Sequence, residues 1–139
     1  MIELPNELAP CGIYCGACPS FNKSCLGCAN QRKDQKRKSK WGCKIRVCCF
    51  EQKQTICADC DEFLCSIHRK KLTDTHPGDP RFTYRHEIPA GLQRLNDIGM
   101  TAFLAFQEQR WTCPYCKNRV WFYHYRCSNC GQEVTIETI

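Results

Sequence analysis

The apolar positions follow their clearest periodic pattern in the middle of the chain. Leu92, Leu95 and Ile98 recur at the spacing of one helix face, which predicts a helix that ends at Gly99, a residue suited to a C-cap. A second helix is predicted over 100–110. We expect the two to form a helical hairpin or a kinked helix and to supply the main apolar contact between the parts of the chain on either side.

Shorter elements are predicted elsewhere. Ile45, Cys48 and Gln52 fall at helical spacing, so a short helix is expected over 44–54. The β-branched and aromatic run at 120–125 favours a strand. The remaining segments are expected to be irregular or only briefly helical: an extended lead-in at 1–10, a basic loop at 30–40, a short helix after Cys60 and a proline-containing stretch at 73–88.

Cysteine is the residue type that most limits the possible fold. Eleven of the fifteen cysteines lie between Cys11 and Cys65, and five pairs in the chain have the C-x2-C spacing. That spacing lets a tight turn aim two thiolates at one ion, which suits tetrahedral Zn²⁺. A disulfide scaffold is disfavoured because the total is odd and the N-terminus has no signal-peptide pattern. No apolar run approaches the ~20 residues of a membrane span, so we expect a cytoplasmic protein.

The C-terminal cysteines give the most specific pattern. Two C-x2-C knuckles flank ten residues that include the predicted strand, and Gly131 follows the second knuckle. Two such turns that grip one Zn²⁺ and carry a small antiparallel sheet form a zinc ribbon. The predicted ligands are Cys113, Cys116, Cys127 and Cys130.

The N-terminal cysteines are predicted to bind about two further zinc ions, but spacing does not decide how they share them. The predicted ligands are Cys11, Cys15, Cys18, Cys25, Cys28, Cys43, Cys48, Cys57, Cys60 and Cys65. A sequential arrangement joins pair 15/18 with 25/28 and pair 43/48 with 57/60, whereas a cross-brace joins 15/18 with 43/48 and 25/28 with 57/60. Cys11 or Cys65 could replace a member of either set. We favour the sequential arrangement because it closes shorter loops.

Several residues near these ligands have two interpretations. Cys49 cannot easily share an ion with its neighbour and is expected to be a buried thiol. His68 either completes a metal site or lies on the surface, and we favour the surface. His86 either forms an acid–base pair with its neighbours or belongs to a structural hydrogen-bonded corner, and we favour the corner. His124 is expected to face solvent.

An iron–sulfur cluster is the alternative to zinc in the N-terminal part. Cys11, Cys15 and Cys18 have the C-x3-C-x2-C spacing of the radical-SAM triad, and thiolates serve iron as well as zinc. However, the sequence does not show the pattern of repeated β/α units that usually accompanies that chemistry.

Basic residues are concentrated in one segment. The formal charge is +6, and residues 31–56 hold nine basic and two acidic residues. A zinc ion with four thiolates carries a charge of −2, so about three such sites would bring the total close to zero. The basic segment is either a solvated linker or a surface that contacts phosphates.

Together these patterns predict a small metal-stabilised α+β protein. We expect a cysteine-rich metal module at 1–72, an irregular segment and helical hairpin at 73–110, and a zinc ribbon at 111–139. The apolar residues are too few for one large core, so metal is expected to stabilise each module.

The cysteine string resembles a known family. The segments CGIYCGACPSF, CLGC, CKIRVCC and CADCDEFLC, with YRHEIP and the terminal ribbon, are similar to prokaryotic cysteine-rich proteins catalogued as a domain of unknown function. The resemblance covers nearly the whole chain and implies zinc binding. It implies no reaction and no partner.

The expected function is therefore that of a non-catalytic, zinc-binding adaptor for nucleic acid or protein. The basic segment and the ribbon aromatics Trp121, Tyr123 and Tyr125, expected to be exposed, suit a macromolecular partner. The alternative is an iron–sulfur or redox-active metalloenzyme that uses the N-terminal cysteines. We favour the adaptor because closed four-thiolate sites leave no coordination position for a substrate.

Overall fold

The computed structural model describes residues 4–60, 63 and 65–139. In this part of the chain the α-helices are α1 (Lys44–Glu51), α2 (Ser66–His68), α3 (Thr83–His86), α4 (Ile88–Ile98) and α5 (Met100–Arg110). Short 3-10 turns lie at Cys15–Ala17, Ser39–Gly42, Cys57–Asp59 and Pro80–Phe82, and a π-helical turn, Arg69–Thr73, follows α2. Strands β1 (Val120–Trp121) and β2 (Arg126–Cys127) pair antiparallel, with Val120 opposite Cys127. The structure is thus a small, helix-dominated mixed fold.

The predicted helical hairpin is confirmed. Helices α4 and α5 meet at Gly99, which has a φ of +84° and can therefore reverse the chain without steric strain. Helix α1 lies within the predicted range 44–54 and ends three residues earlier, at Glu51. The lead-in predicted for 1–10 is described only from Leu4 onward, and Asp61, Glu62 and Leu64 of the segment CADCDEFLC lie outside the described residues.

Two other predictions are wrong in detail. The stretch 73–88 is not mostly irregular, because the Asp79 side chain accepts a hydrogen bond from the Arg81 backbone N–H and starts a 3-10 turn that leads into α3. The strand predicted over 120–125 stops at Trp121, since Tyr123 and Tyr125 have positive φ angles that turn the chain toward β2.

Two hydrophobic clusters form the core. The first joins the N-terminal segment to the hairpin, and its buried members include Leu8, Ile45, Leu92 and Phe103. The second lies under residues 111–139, which we call the ribbon after their predicted fold, and includes Tyr14, Ala17, Trp111, Val120 and Val134. Leu104 of α5 packs against both clusters, as expected of a connecting hairpin.

The N-terminal segment also contacts the ribbon directly. Tyr14 and Ala17 are buried in the ribbon's cluster, and the Phe122 backbone N–H donates to the Ala17 carbonyl at 2.9 Å. The hairpin is therefore not the sole connection between the two cysteine-rich parts. None of the helices in the described part of the chain is long and apolar enough to cross a membrane.

The YRHEIP segment forms a hydrogen-bonded corner, as expected. The His86 ring Nε2 lies 2.5 Å from the Thr75 carbonyl oxygen. Glu87 accepts a hydrogen bond at 2.8 Å from Arg110 at the end of α5, and this ion pair is nearly buried. The corner therefore holds α3, the start of α4 and the end of α5 together.

Candidate metal centre

The ribbon brings its four predicted ligands together. The sulfur atoms of Cys113, Cys116, Cys127 and Cys130 all lie within 4.8 Å of one another. The Cys113 and Cys130 sulfurs are 3.7 Å apart, and those of Cys116 and Cys127 are 3.3 Å apart. A tetrahedral zinc ion with Zn–S bonds of about 2.3 Å requires sulfur separations of about 3.8 Å. This set of donors can hold a metal ion.

The two ribbon knuckles repeat one local geometry. The backbone N–H of Tyr115 donates to the Cys113 sulfur at 3.4 Å, and that of Asn129 donates to the Cys127 sulfur at the same distance. In each knuckle the donor lies two residues after the first cysteine. Such N–H groups stabilise thiolate charge, and the C-x2-C spacing encodes them locally.

Hydrogen bonds favour the thiolate form of one ribbon cysteine in particular. The side chain of Asn118 and its backbone N–H lower the pKa of Cys116 to about 5. For Cys113, burial acts in the opposite sense, but hydrogen bonds from the backbone N–H groups of Cys116 and Tyr115 and from the thiols of Cys130 and Cys127 together lower the pKa. A deprotonated thiol is the form that binds metal, so these contacts suit a metal ligand.

The N-terminal cysteines fall into two neighbourhoods. In the first, the Cys28 backbone N–H contacts the Cys15 sulfur at 3.5 Å. A hydrogen bond from the Cys15 thiol, helped by nearby cations, lowers the pKa of Cys28 to about 6. Burial raises the pKa of Cys11, and the neighbouring thiols of Cys28 and Cys43 add to that effect.

The second neighbourhood is a small cavity of about 30 Å³. Five cysteines line it: Cys48, Cys49, Cys57, Cys60 and Cys65. A hydrogen bond between the thiols of Cys49 and Cys57 lowers the pKa of Cys49 and raises that of Cys57. Cys43, which the sequential arrangement paired with Cys48, is not among the residues that line this cavity and interacts electrostatically with Cys11.

The ribbon set differs from these neighbourhoods in geometry. Within residues 4–60, 63 and 65–139 it is the one group of three or more possible ligands whose donor atoms all lie within 4.8 Å of one another. Metal binding by the N-terminal cysteines therefore stays a prediction.

Three basic side chains of the 31–56 segment lie beside the first neighbourhood, and Arg37 interacts there with Cys18 and Cys25 as well as Cys28. The Lys40 ammonium lies 3.7 Å from the Cys25 sulfur, and an Arg37 guanidinium nitrogen lies 3.7 Å from the Cys18 sulfur. Arg46 donates to the Cys28 carbonyl at 2.8 Å. Sequence reasoning treated these residues as part of a solvated or phosphate-binding segment, and no local pattern distinguishes them from their exposed neighbours.

The histidine and Cys49 predictions are partly confirmed. Cys49 is a buried thiol and His124 is exposed, as expected. The preference for a surface position was wrong for His68, which is only 1% exposed. Its ring nitrogens lie 2.8 Å from the Thr73 hydroxyl and 2.8 Å from the Cys11 carbonyl, so both already have hydrogen-bonding partners. Burial lowers its pKa.

The ribbon aromatics are less exposed than expected. Tyr125 packs near Trp111 and accepts a hydrogen bond from the Tyr84 backbone N–H, while Tyr123 contacts Phe82 and Arg81. These contacts use both tyrosines to attach the ribbon to the segment before α3. In the described part of the chain, Tyr115 is the most exposed large hydrophobic residue, at 71%.

Comparison of the chain with protein-family models, with curated proteins and with solved structures finds no match.

Proposed function

We propose that this protein is a zinc-binding adaptor, without catalytic activity of its own, that binds a macromolecule. The observation that carries the proposal is the convergence of the four ribbon sulfurs, Cys113, Cys116, Cys127 and Cys130, at separations that suit tetrahedral zinc. Four thiolates close the coordination sphere, which fits a structural ion. The resemblance of the cysteine string to a zinc-binding family supports the zinc-binding part of this proposal.

About three zinc ions per chain are proposed, one in the ribbon and two among the N-terminal cysteines. The contact between Cys15 and Cys28 supports grouping pair 15/18 with pair 25/28. The small cavity lined by cysteines supports a second group. This group keeps Cys48, Cys57 and Cys60 of the sequential arrangement and takes Cys65 in place of Cys43. Both groups follow the sequential arrangement more closely than the cross-brace.

Measurement of the metal content tests whether the protein binds structural zinc. Elemental analysis of protein purified without air should give about three zinc ions and a colourless solution. Cys113→Ser should lose the ribbon ion and the protection of the β1–β2 amides against hydrogen exchange, while the N-terminal ions remain. If the β1–β2 amides stayed equally protected against hydrogen exchange without metal, the ion would have no structural role.

An anionic partner is supported by the basic side chains that stay exposed. Six of the nine basic residues in 31–56 are on the surface: Arg32, Lys33, Lys36, Lys38, Lys44 and Lys53. Binding to nucleic acid would then depend steeply on salt, because each phosphate contact releases counterions. Binding to a protein would show a weaker dependence.

Removal of positive charge tests whether residues 31–56 bind nucleic acid. The double variant Lys36→Ala/Lys44→Ala should lower the slope of log affinity against log salt by up to about 1.8 for duplex DNA, if both lysines contact phosphates. The matched control Lys70→Ala/Lys71→Ala removes two exposed lysines outside the segment. Equal slopes in both double variants would reject a nucleic-acid surface at 31–56 and favour a protein partner.

An iron–sulfur centre is the second candidate for the N-terminal part. Arg37 donates to the Cys18 sulfur, and hydrogen bonds to sulfur are among the features that set cluster potentials. A brown solution with iron bound at Cys11, Cys15 and Cys18 would replace zinc there and make redox chemistry the working hypothesis.

A further inference from the structure

A lysine of the basic segment is buried without a carboxylate partner. Lys40 is 3% exposed, and its ammonium contacts Gln35 Oε1 at 2.6 Å and the Gly27 carbonyl at 2.8 Å. Both of these acceptors are neutral. No carboxylate forms an ion pair with Lys40 in the described residues. Burial of an ammonium without an anion is energetically costly, so a negative charge is expected close by.

The side chain of Gln35 holds the ammonium in place. Gln35 is 5% exposed, and its Oε1 accepts from both Lys40 and the Leu26 backbone N–H, at 2.7 Å for the latter. Its amide nitrogen donates to the Arg32 carbonyl at 2.7 Å. Leu26 and Gly27 are the two residues inside the C-x2-C knuckle 25/28. The lysine is therefore fixed against this knuckle, and Cys25 supplies the remaining contact.

A second buried cation lies on the same knuckle with part of its hydrogen-bonding capacity unused. Arg46 is 8% exposed and donates through Nε to the Cys28 carbonyl. Its Nη2 is buried and has no hydrogen-bond partner among the described residues. The guanidinium interacts electrostatically with Cys28, Cys43 and Cys25. A buried N–H group without an acceptor is costly, unless negative charge nearby compensates it.

A third cation completes the arrangement. Arg37 contacts the Cys18 sulfur and interacts with the thiols of Cys28 and Cys25 as well. Three positive charges therefore surround sulfur atoms from two C-x2-C pairs. A zinc ion with four thiolates carries −2, and iron–sulfur clusters with four thiolates are also anionic, so either centre would supply the missing negative charge.

We propose that Lys40, together with Arg37 and Arg46, is the built-in counter-charge of an anionic metal–thiolate centre at Cys15, Cys18, Cys25 and Cys28. The three are positioning residues that do not touch the metal and stabilise the deprotonated, metal-bound state of the sulfurs. The inference rests on the proposed binding of metal by the N-terminal cysteines. It also gives part of the basic segment a role that does not involve a partner.

The test compares lysine variants in the full chain. Lys40→Met removes the charge and keeps the length of the side chain, Lys40→Arg restores a cation, and Lys36→Met removes an exposed charge as the matched control. Zinc affinity is measured by chelator competition, and the Co²⁺-loaded protein gives the sulfur-to-metal absorption bands. The ribbon ion is an internal reference because the hydrogen bonds of the Lys40 ammonium go to Gln35, Gly27 and Cys25, which lie outside the ribbon.

Lys40→Met should weaken metal binding at the N-terminal centre by about 10- to 100-fold, the usual loss when a residue that supports metal ligands is removed. It should also shift the Co²⁺ bands of that centre and leave those of the ribbon unchanged. Lys40→Arg should recover most of the affinity, and Lys36→Met should resemble the wild type. If the centre holds an iron–sulfur cluster, Lys40→Met should lower its reduction potential. Should Lys40→Met fail to fold, Arg46→Gln replaces it, with the same expectations.

Two negative outcomes are distinguishable. Wild-type protein that binds metal only at the ribbon would overturn the proposed N-terminal metal sites, and the counter-charge role with them. Wild-type protein that binds N-terminal metal with an affinity and spectrum unaffected by Lys40→Met would overturn the counter-charge role alone.

Discussion

Arg110 is expected to be the residue on which the joint between the hairpin and the ribbon most depends. Its guanidinium donates to Glu87 Oε2 at 2.8 Å, to Gln107 Oε1 at 2.7 Å and to the Glu137 carbonyl at 2.8 Å. The Arg110 side chain is 2% exposed and that of Glu87 is 18% exposed. One side chain thus connects the end of α5, the start of α4 and the C-terminal segment.

The expected cost of Arg110→Met follows from this geometry. Removal of one partner from a buried ion pair typically costs 3–5 kcal/mol, and the partial exposure of Glu87 reduces this to about 2–4 kcal/mol. Gln107 keeps a donor, since Trp111 Nε1 also contacts its Oε1 at 3.2 Å. With a urea m-value of about 1.5–2 kcal/mol/M, the unfolding midpoint should fall by roughly 1–3 M.

The assay is urea unfolding in excess zinc, followed by tryptophan fluorescence, because Trp111 is buried beside Arg110. Excess zinc keeps the metal contribution the same in all variants. Glu87→Gln retains an acceptor and should cost less than Arg110→Met. Arg94→Met, an exposed arginine on α4, is the matched control and should change stability by no more than about 0.5 kcal/mol. If Arg110→Met shifts the midpoint no more than Arg94→Met, the buried ion pair does not stabilise this joint.

Three further predictions concern the cysteine-rich parts. Gly27→Ala should lower the free energy of unfolding in urea by more than about 2 kcal/mol, because φ is +98° and a Cβ would lie 2.0 Å from a backbone oxygen. Gly42→Ala, with open space around it, should cost much less, and equal effects would contradict this prediction. His68 has a lowered pKa in the fold, so the unfolded chain binds its proton first and stability is lost as pH falls below about 6.5. His68→Gln should therefore flatten the fall in the urea midpoint between pH 7.5 and 5.5 in excess zinc, and an unchanged slope would reject this linkage. Asn118→Ala removes a hydrogen bond that lowers the pKa of Cys116, so protons should displace the ribbon metal at a higher pH, as followed by Co²⁺ absorption during acid titration; release at the wild-type pH would assign the effect to the backbone alone.

The sequence alone determined the features that depend on near neighbours. The hairpin of α4 and α5 was predictable because apolar spacing and a glycine act within one or two helical turns. The convergence of the four ribbon cysteines was predictable for a similar reason, since each C-x2-C knuckle carries its own turn and its own N–H···S contacts. Only the length of the strand was overestimated, because the backbone angles of Tyr123 and Tyr125 turn the chain in spite of their β propensity.

The tertiary structure decided the features that depend on distant parts of the chain. His68 is buried because it meets the Cys11 carbonyl, 57 residues away, and no local pattern contains that contact. Lys40 and Arg46 look in the sequence like the solvated lysines and arginines around them. They are buried because the fold packs the 25/28 knuckle against them. The Cys25 sulfur and the Cys28 carbonyl take the place of the water that would surround an exposed cation. Local spacing therefore determined which residue types can bind metal, and packing determined which charges surround them.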